Sequence, residues 1–298
     1  MAISAPSPQR RAFADLVRKA DPQIDLARAA LLIAQEEYPA LRLRPYLARL
    51  DTLAAQVQAR LVPPADGAAP PAGGIIDALN AVLFDDLGFR GNGEDYYDPR
   101  NSYLNEVLDR HTGIPITISL VYMEVAARVG LPLRGIGMPG HFIVQYPGPL
   151  HDPARLTWRP QPGELFVDPY ERGALLTRAD CAARFRRLYG ADFTFSEEYL
   201  TPLTRHQILA RLLNNLKLIY LKRRDFARAV AVVERLLLVQ PEALWELKDR
   251  GMLYYRLGAF ASARADLERF LEQDPDAEDA PILRYYIHLC DRLRVLVN

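Results

Sequence analysis

A histidine and an aspartate stand at the ends of two short apolar runs in the middle of the chain. His141 opens the run HFIVQY, and Asp168 closes the run ELFVD immediately before Pro169. An imidazole held in place by a carboxylate can serve as a general base. Each residue also has a structural explanation, because a strand histidine is often hydrogen-bonded and partly buried, and an aspartate before proline often forms a turn.

The chain has two cysteines, Cys181 and Cys290, which lie far apart and form no CxxC or other metal-like spacing. This argues against a disulfide framework or a zinc site and favours a reducing compartment. Both thiols are expected to pack as small hydrophobic side chains in helical regions. The remaining histidines also lack the spacing of metal ligands: His111, His151, His206 and His288. We therefore predict no metal and no cofactor.

The elements that must position His141 and Asp168 are a helix and a small sheet. A helical run extends from about 116 to 129. Three strand-like runs follow it, at 133–137, 141–146 and 164–168. The segment 147–163 is rich in proline and glycine, which suits a long hairpin connection between the second and third runs. Neighbouring strands would bring the histidine and the aspartate within hydrogen-bond reach.

The first sixty residues have the apolar spacing of amphipathic helices. Between positions 9 and 61 apolar residues recur at intervals of three and four, and Pro22 and Pro39 interrupt the pattern. Proline disfavours helix geometry in the residue before it, so the pattern predicts three helices. Residues 62–74 combine proline, glycine and alanine, which predicts a loop, with helix resuming near Ile75.

Beyond Pro202 the chain matches itself at an offset of 34 residues. The matching pairs are Tyr220 with Tyr254, Phe226 with Phe260, Ala229 with Ala263, Leu237 with Leu271, and Pro241 with Pro275. This period resembles the tetratricopeptide repeat, in which small residues let two helices approach and an aromatic side chain fills the gap. The pattern predicts repeats at 206–241 and 242–275, and a final helix near 282–295 that caps the array.

Motifs in the first two thirds of the chain follow a recognisable order. They are GIP at 113–115, GLP at 130–132, GHF at 140–142 and VDP at 167–169; GFRGN at 88–92 and DYYDPRNSYLN at 95–105 precede them and mark a branch described below. Their order resembles the transglutaminase-like superfamily, in which a cysteine opens a helix, a histidine opens a strand and an aspartate closes the next strand. In such a triad the helix N-terminus and the histidinium lower the thiol pKa. The resemblance implies that His141 is the base and Asp168 the orienting carboxylate.

The third member of that triad is missing. Pro115 stands where the superfamily has cysteine, and proline carries no nucleophile, although it suits the first turn of a helix. The chain is most similar to a bacterial branch, the SirB-type family, that joins a degenerate core to C-terminal repeats. The expected fold is α+β and mostly helical: a transglutaminase-like (papain-like) core of helix and small antiparallel sheet in residues 1–200, then an all-α tetratricopeptide array in residues 205–298.

Other polar residues near the missing cysteine are candidate site residues. Ser119 lies one helical turn after Pro115 and Thr117 is close by, but a serine inside a helix usually bonds to the backbone one turn back. Asn105 and Glu106 are candidates for polar groups that line the same cleft, with a solvated helix surface as the alternative. We predict binding roles for Asn105, Glu106 and Ser119, and relic triad roles for His141 and Asp168.

The charge composition indicates which classes of partner are expected. Lys+Arg and Asp+Glu number 37 each and the pI is near 7.0, so nothing in the charge favours nucleic acid or an anionic membrane. The sequence shows no signal-peptide pattern and no long uncharged apolar segment, which predicts a cytoplasmic location without a membrane span.

Three functions fit these observations. The first is a non-enzymatic or weakly enzymatic module that binds a peptide or protein through its degenerate cleft and its repeats. The second is a hydrolase or acyltransferase in which His141 and Asp168 act with a nucleophile other than cysteine. The third is a purely structural scaffold. The missing cysteine favours a protein that is not an enzyme, while the ligand, the pathway and the oligomeric state stay open.

Overall fold

A computed structural model describes the following parts of the chain: residues 7–62, 70–148, 165–190 and 192–297. They form two compact units. One contains residues 25–208, and the other combines the residues up to Ile24 with those from Leu209 onward. The sequence predictions for a loop at 62–74 and for a hairpin connection at 147–163 fall mostly on residues outside the described ranges, but the predicted end of the loop is wrong because helix already begins at Ala72.

The helices are α1 (Pro8–Val17), α2 (Leu26–Glu37), α3 (Leu43–Arg60), α4 (Ala72–Asn80), α5 (Leu104–Arg110), α6 (Pro115–Arg128), α7 (Arg178–Tyr189), α8 (Arg205–Lys222), α9 (Phe226–Val239), α10 (Leu244–Arg256), α11 (Phe260–Gln273) and α12 (Ala280–Val297). The strands are β1 (Arg90–Gly91), β2 (Thr112–Gly113), β3 (Arg134–Ile136), β4 (Ile143–Tyr146), β5 (Leu165–Asp168) and β6 (Ala174–Leu176). Within the described ranges, no helix is both long enough and apolar enough to cross a bilayer.

The larger sheet is an antiparallel meander in the order β3-β4-β5-β6. Val144 pairs with Val167 between β4 and β5, so these strands are neighbours as predicted. All four residues of β5 are buried, whereas only the first two residues of β4 are. The strand β6 and a short parallel pair, β1 with β2, were not predicted.

Helix α6 lies at the centre of the 25–208 unit. It begins at Pro115, as the sequence predicts, and the Thr117 hydroxyl accepts a hydrogen bond of 3.0 Å from the Ile114 amide, which closes the first turn. Nearly all of its first two turns are buried. The helix packs against α3 and the sheet, so its apolar sequence reflects contact on several sides.

The repeat unit has the predicted 34-residue register. Helices α9 and α11 begin at Phe226 and Phe260, and Ala229 and Ala263 are fully buried one turn later. A Cβ at Gly251 would lie 2.8 Å from the Leu267 side chain, which shows how closely α10 and α11 approach. The predicted fold class, an α+β core followed by an all-α repeat array, is confirmed.

The N-terminal helix departs from the predicted division of the chain. The sequence interpretation placed α1 in the first domain with residues 1–200, whereas α1 packs against α9. Phe13 is fully buried beneath the Arg235 guanidinium, 5.8 Å from the ring centroid, and Arg10 forms an ion pair with Glu234. An amphipathic stripe predicts that a helix face is buried but not which surface buries it.

Candidate functional site

The backbone around His141 is shaped by the glycine before it. Gly140 has a φ of +67°, and a Cβ there would lie 2.5 Å from Cδ2 of Leu188. A side chain would therefore be strained both by the backbone conformation and by the close contact. The His141 amide donates to the Met138 carbonyl at 3.1 Å. This turn delivers the imidazole to the start of β4.

The predicted contact between His141 and Asp168 is confirmed. Nε2 of His141 lies 2.8 Å from Oδ2 of Asp168, which is the last residue of β5 and is fully buried. A carboxylate oxygen only accepts, so Nε2 carries the hydrogen in this contact. The pair thus has the geometry of a base held by an orienting carboxylate.

The carboxylate of Asp168 also organises the backbone that follows it. Its Oδ1 accepts from the amides of Tyr170 at 3.1 Å and Glu171 at 3.3 Å, which caps the short 3₁₀ helix Pro169–Glu171. An aspartate at this position satisfies donors that would otherwise be orphaned at a helix start. Asp168 therefore has a structural role whether or not it has a chemical one.

Sequence reasoning missed Arg184. Its Nη1 donates to Oδ2 of Asp168 and lies 3.0 Å from Nε2 of His141, so two donors share one oxygen. The arginine compensates the buried negative charge, and an aspartate shared in this way stabilises an imidazolium less than an unshared one would. Arg184 lies on α7, in a segment with several arginines and no motif, so the only sequence signal was a basic helix after Asp168.

Tyr170 forms one side of the site. Its ring meets the His141 imidazole edge-on, with centroids 5.9 Å apart and an interplanar angle of 85°. Burial raises the pKa of Tyr170, and Glu171 raises it further. A Cβ at Gly91, in β1, would lie 2.2 Å from the Tyr170 ring. The glycine of the GFRGN motif therefore makes room for the tyrosine that packs on the histidine.

The hydroxyls near the missing cysteine bond to the backbone. Ser119 is fully buried, and its Oγ donates to the carbonyl of Phe142 at 3.4 Å. Thr117 donates to the Asn101 carbonyl at 2.7 Å while it accepts from the amide before Pro115. Pro115 is itself buried at the first position of α6. The predicted binding residue Ser119 thus lies in the core beneath β4.

Neither thiol is placed for nucleophilic attack. Cys181 is fully buried among the apolar side chains between the sheet and α7, and burial, with a further contribution from Asp180, raises its pKa to about 12. Burial likewise raises the pKa of Cys290. A buried neutral thiol is inert because the thiolate is the reactive form. In the described part of the chain, no three histidines, cysteines or carboxylates gather as a metal site would require.

Comparison with known proteins supports the motif order. The family model described as the transglutaminase-like superfamily matches residues 44–214. The chain belongs to this superfamily. A second family model, described as a tetratricopeptide repeat, matches residues 216–288, in agreement with the 34-residue register of the second unit.

Relatives of the transglutaminase-like chain occur in bacteria and beyond. A UPF0162 protein of Xylella fastidiosa (strain 9a5c) is 34% identical over 274 residues, 90% of each chain. A UPF0162 protein of Pseudomonas aeruginosa is 30% identical over 268 residues, 89% of this chain and 91% of that one. Human F-box only protein 21 is 46% identical over 72 residues, 24% of this chain and 12% of the human protein. The bacterial similarity therefore covers nearly the whole chain.

The other two predicted binding residues of the transglutaminase-like domain lie on α5. Asn105 is buried and its Oδ1 has no hydrogen-bond partner among the described residues, whereas Glu106 is half-buried near Tyr46 and Arg100. Helix α5 packs against α2, α6 and the 3₁₀ helix Pro99–Ser102. No hydrogen bond within the described ranges joins Asn105 or Glu106 to the His141–Asp168 pair.

The tyrosine-rich motif before α5 is a hydrogen-bonded turn. Asn101, fully buried, donates to the Asp95 carbonyl at 2.7 Å and accepts from Asn92 at 3.2 Å. The Asp98 carboxylate accepts from the Arg100 amide at 3.0 Å and from its guanidinium at 2.8 Å. Burial opposes ionisation of Asp98, but these bonds hold its pKa below the ordinary value. The motif mainly fixes the entry to α5.

The repeat unit contains an open groove between α8 and α10. A cavity of about 460 Å³ opens there. Its lining residues come from α8, α10 and the turn that leads into α9: Lys217, Leu221, Arg224, Phe226, Asp249, Met252, Leu253 and Arg256. Apolar side chains form its walls, and charged groups stand at its two ends. Such concave surfaces are where helical repeat arrays bind extended segments.

The charges at the two ends of the groove differ in how they are compensated. Lys217 contacts Glu246 at 2.7 Å and Asp249 at 2.5 Å. Arg224 and Arg256, at the other end, are exposed and have no ion-pair partner among the described residues. Cations near helix C-termini are favourable by themselves, but these two also line a cavity with apolar walls.

Proposed function

We propose that this protein is a non-enzymatic or at most weakly enzymatic interaction module, in which the tetratricopeptide groove binds a peptide or protein partner. The groove between α8 and α10 carries the proposal. It combines a cavity of peptide-sized volume with exposed Leu221 and two uncompensated arginines, Arg224 and Arg256. An apolar side chain next to two guanidinium groups offers a partner both an apolar contact and charge-assisted hydrogen bonds.

The degenerate cleft is proposed as a second contact surface. Leu188 and Tyr189, which flank Gly140, are 58% and 39% exposed. The nearby charges of Asp168 and Arg184 compensate each other. An apolar rim beside a charge-balanced centre suits contact with a neutral segment better than activation of a nucleophile.

Site-specific photo-crosslinking tests the proposal in living cells. A photoreactive phenylalanine analogue replaces Leu221 in the groove or, as a matched control, Arg269 on the exposed side of α11. We expect discrete cross-linked products from position 221 that are absent from position 269 and are lost when Met252→Asp is added. Equal labelling from both positions, or products that survive Met252→Asp, would refute a groove-dependent interaction.

The alternative is a hydrolase or acyltransferase that uses His141 and Asp168 with a non-cysteine nucleophile, and the 2.8 Å contact of this pair is the observation in its favour. It is tested with p-nitrophenyl acetate hydrolysis and with dansylcadaverine incorporation into casein. We expect no rate that His141→Ala removes. A rate that falls at least tenfold in His141→Ala, while Arg187→Gln keeps it, would establish catalysis.

The proposed compartment is the bacterial cytoplasm. Both cysteines are free thiols, as is usual where the surroundings are reducing. The equal numbers of basic and acidic residues, 37 each, favour a protein or peptide partner over nucleic acid or a membrane surface. Fractionation of cells with a tagged chain tests this location.

A further inference from the structure

We propose that the groove selects an extended peptide segment that presents a carboxylate beside an apolar side chain, with Arg224 and Arg256 as the anchors for the carboxylate. This inference rests on the proposed function and specifies the chemistry of its ligand. Arg224, in the turn after α8, and Arg256, at the end of α10, line the same cavity, and the planar guanidinium group matches the geometry of a carboxylate.

The groove has an electrical polarity. At one end Lys217 is matched by two carboxylates, Glu246 and Asp249, which leaves one excess negative charge. At the other end Arg224 and Arg256 carry two uncompensated positive charges. A ligand therefore gains most when its negative group lies at the arginine end and a donor or cation lies at the Asp249 end.

The distance between the two ends sets the spacing of the ligand groups. Asp249 and Arg256 are seven residues apart on one face of α10, which corresponds to about 10 Å along the helix axis. An extended peptide advances about 3.3 Å per residue. The donor group is thus expected about three residues from the carboxylate.

The backbone at Arg224 indicates that this arginine has a use beyond the turn. Arg224 has a φ of +55°, a conformation that favours glycine. The position 34 residues later in the next repeat is Gly258, with a φ of +74°. The two repeats share one turn geometry, but only the turn that lines the cavity carries an arginine there. Strain of this kind persists mainly where the side chain is needed.

The wall between the two ends is apolar. Leu221 is 37% exposed, and Phe226 and Met252 are half-buried beside it. Methionine adapts to side chains of different shape. The apolar residue of the ligand is therefore expected next to the carboxylate, with tolerance among leucine, methionine and phenylalanine.

Fluorescence anisotropy with four labelled peptide pools tests the inference on the full chain. Each peptide of the first pool consists of Lys, two variable residues and a last residue with a free carboxylate. That last residue is Leu, Met or Phe, in equal amounts. The second replaces the free terminus with Glu followed by an amidated Gly-Gly. The third pool is the second pool with Gln in place of Glu. In the fourth pool, Lys and Glu of the second pool exchange positions. The first two pools distinguish a chain terminus from an acidic side chain as the source of the carboxylate.

We expect the first or second pool to bind at least about ten times more tightly than the third and fourth, the effect of one charge-assisted contact. Arg224→Gly, which matches the backbone of Gly258, and Arg256→Gln should each weaken that binding about tenfold. Arg269→Gln removes one positive charge from α11, outside the groove, and should change the dissociation constant less than about twofold. Raising the salt concentration should selectively weaken the binding of the first two pools.

Two other outcomes separate this inference from the proposed function. If all four pools bind equally and Leu221→Asp abolishes binding, the groove binds peptides but the carboxylate selection is wrong. If no pool binds at roughly 1 mM while cross-linking from position 221 persists, the selection is likewise wrong and the interaction module stands. Loss of both signals overturns both.

Discussion

The site around His141 and the groove of the repeat unit treat charge in opposite ways. At the first, Asp168 has four hydrogen bonds, and Arg184 compensates its charge. At the second, Arg224 and Arg256 are exposed without an ion-pair partner among the described residues. A region whose polar groups are all satisfied contributes to stability, whereas a region with unmet binding capacity is available to a ligand.

The two regions therefore differ in what a substitution is expected to change. Asp168 accepts from both His141 and Arg184 through one oxygen, and Pro115, at the start of α6, carries no nucleophile. The groove combines exposed charges with an apolar wall, and its binding of a ligand is the proposal made above. Substitutions at the first region should change stability more than binding, and those at the second should do the reverse.

The largest effect is expected from Asp168→Asn. It removes a fully buried negative charge that accepts hydrogen bonds from His141 and Arg184, so the free energy of unfolding should fall by about 3 kcal/mol. Groove binding should be unchanged. Urea denaturation measures the first quantity and peptide anisotropy the second. Glu171→Gln, the same change on an exposed neighbour, should cost less than about 0.5 kcal/mol. A loss below about 1 kcal/mol for Asp168→Asn would show that Asp168 is not structurally important.

A somewhat smaller effect is expected where the repeat helices cross. Ala263 is fully buried, so Ala263→Leu should overpack the contact and cost about 2 kcal/mol of unfolding free energy. Ala265→Leu, at an exposed position on the same helix, is the control and should lie within about 0.5 kcal/mol of the wild type. Thermal and urea denaturation report both. Equal costs at the two positions would contradict the packing assigned to α11.

The third prediction concerns pH and the turn before α5. The pKa of Asp98 in the folded chain lies below its ordinary value of 3.8, so the ionised carboxylate stabilises the fold above pH 3.8 and this contribution is lost as pH falls through the folded-state value. Asp98→Asn should therefore cost about 1.5 kcal/mol at neutral pH. The difference from the wild type should shrink below about pH 4.

Urea titrations of Asp98→Asn at several pH values check this window. Asp95→Asn, a nearby exposed aspartate, serves as the control and should show no such pH dependence. A difference that grows as the solution is acidified would reverse the sign and rule out the interpretation.

The smallest expected effect on stability comes from Arg224→Gly. Glycine accepts the left-handed backbone without strain, so the repeat unit should gain about 0.5–1 kcal/mol while groove binding weakens. Gly258→Ala introduces the strain at the equivalent turn and should cost about 1 kcal/mol. Urea denaturation of both variants measures these changes in the free energy of unfolding. A destabilised Arg224→Gly would mean that the arginine is required for the fold.

The features predicted from sequence are those that periodicity or motif order encodes. The 34-residue register depends on small and aromatic residues that every repeat needs, and it places Phe226 and Phe260 at equivalent helix starts. The contact between His141 and Asp168 followed from two strands with one proline-rich connection. The roles of those two residues, and the binding roles assigned to Asn105, Glu106 and Ser119, remain predictions.

The features missed depend on contacts between distant segments. Arg184 contacts Asp168 through a long flexible side chain, and no motif or residue spacing in the sequence predicts this contact. Strand β6 has only three residues, too few for an alternating pattern, and it forms because β5 offers an unpaired edge. The partner of α1 was also inaccessible, because an apolar helix face fits several surfaces equally well.

The docking of α1 onto α9 has a consequence for synthesis on the ribosome. Arg10 and Glu234 are separated by 224 residues, so at an elongation rate of about 5–20 residues per second α1 emerges roughly 10 to 45 seconds before the surface that buries Phe13 exists. During that interval its apolar face is open to chaperones or to other nascent chains. The repeat unit closes only after translation has passed α9, so α1 is made long before its position is fixed.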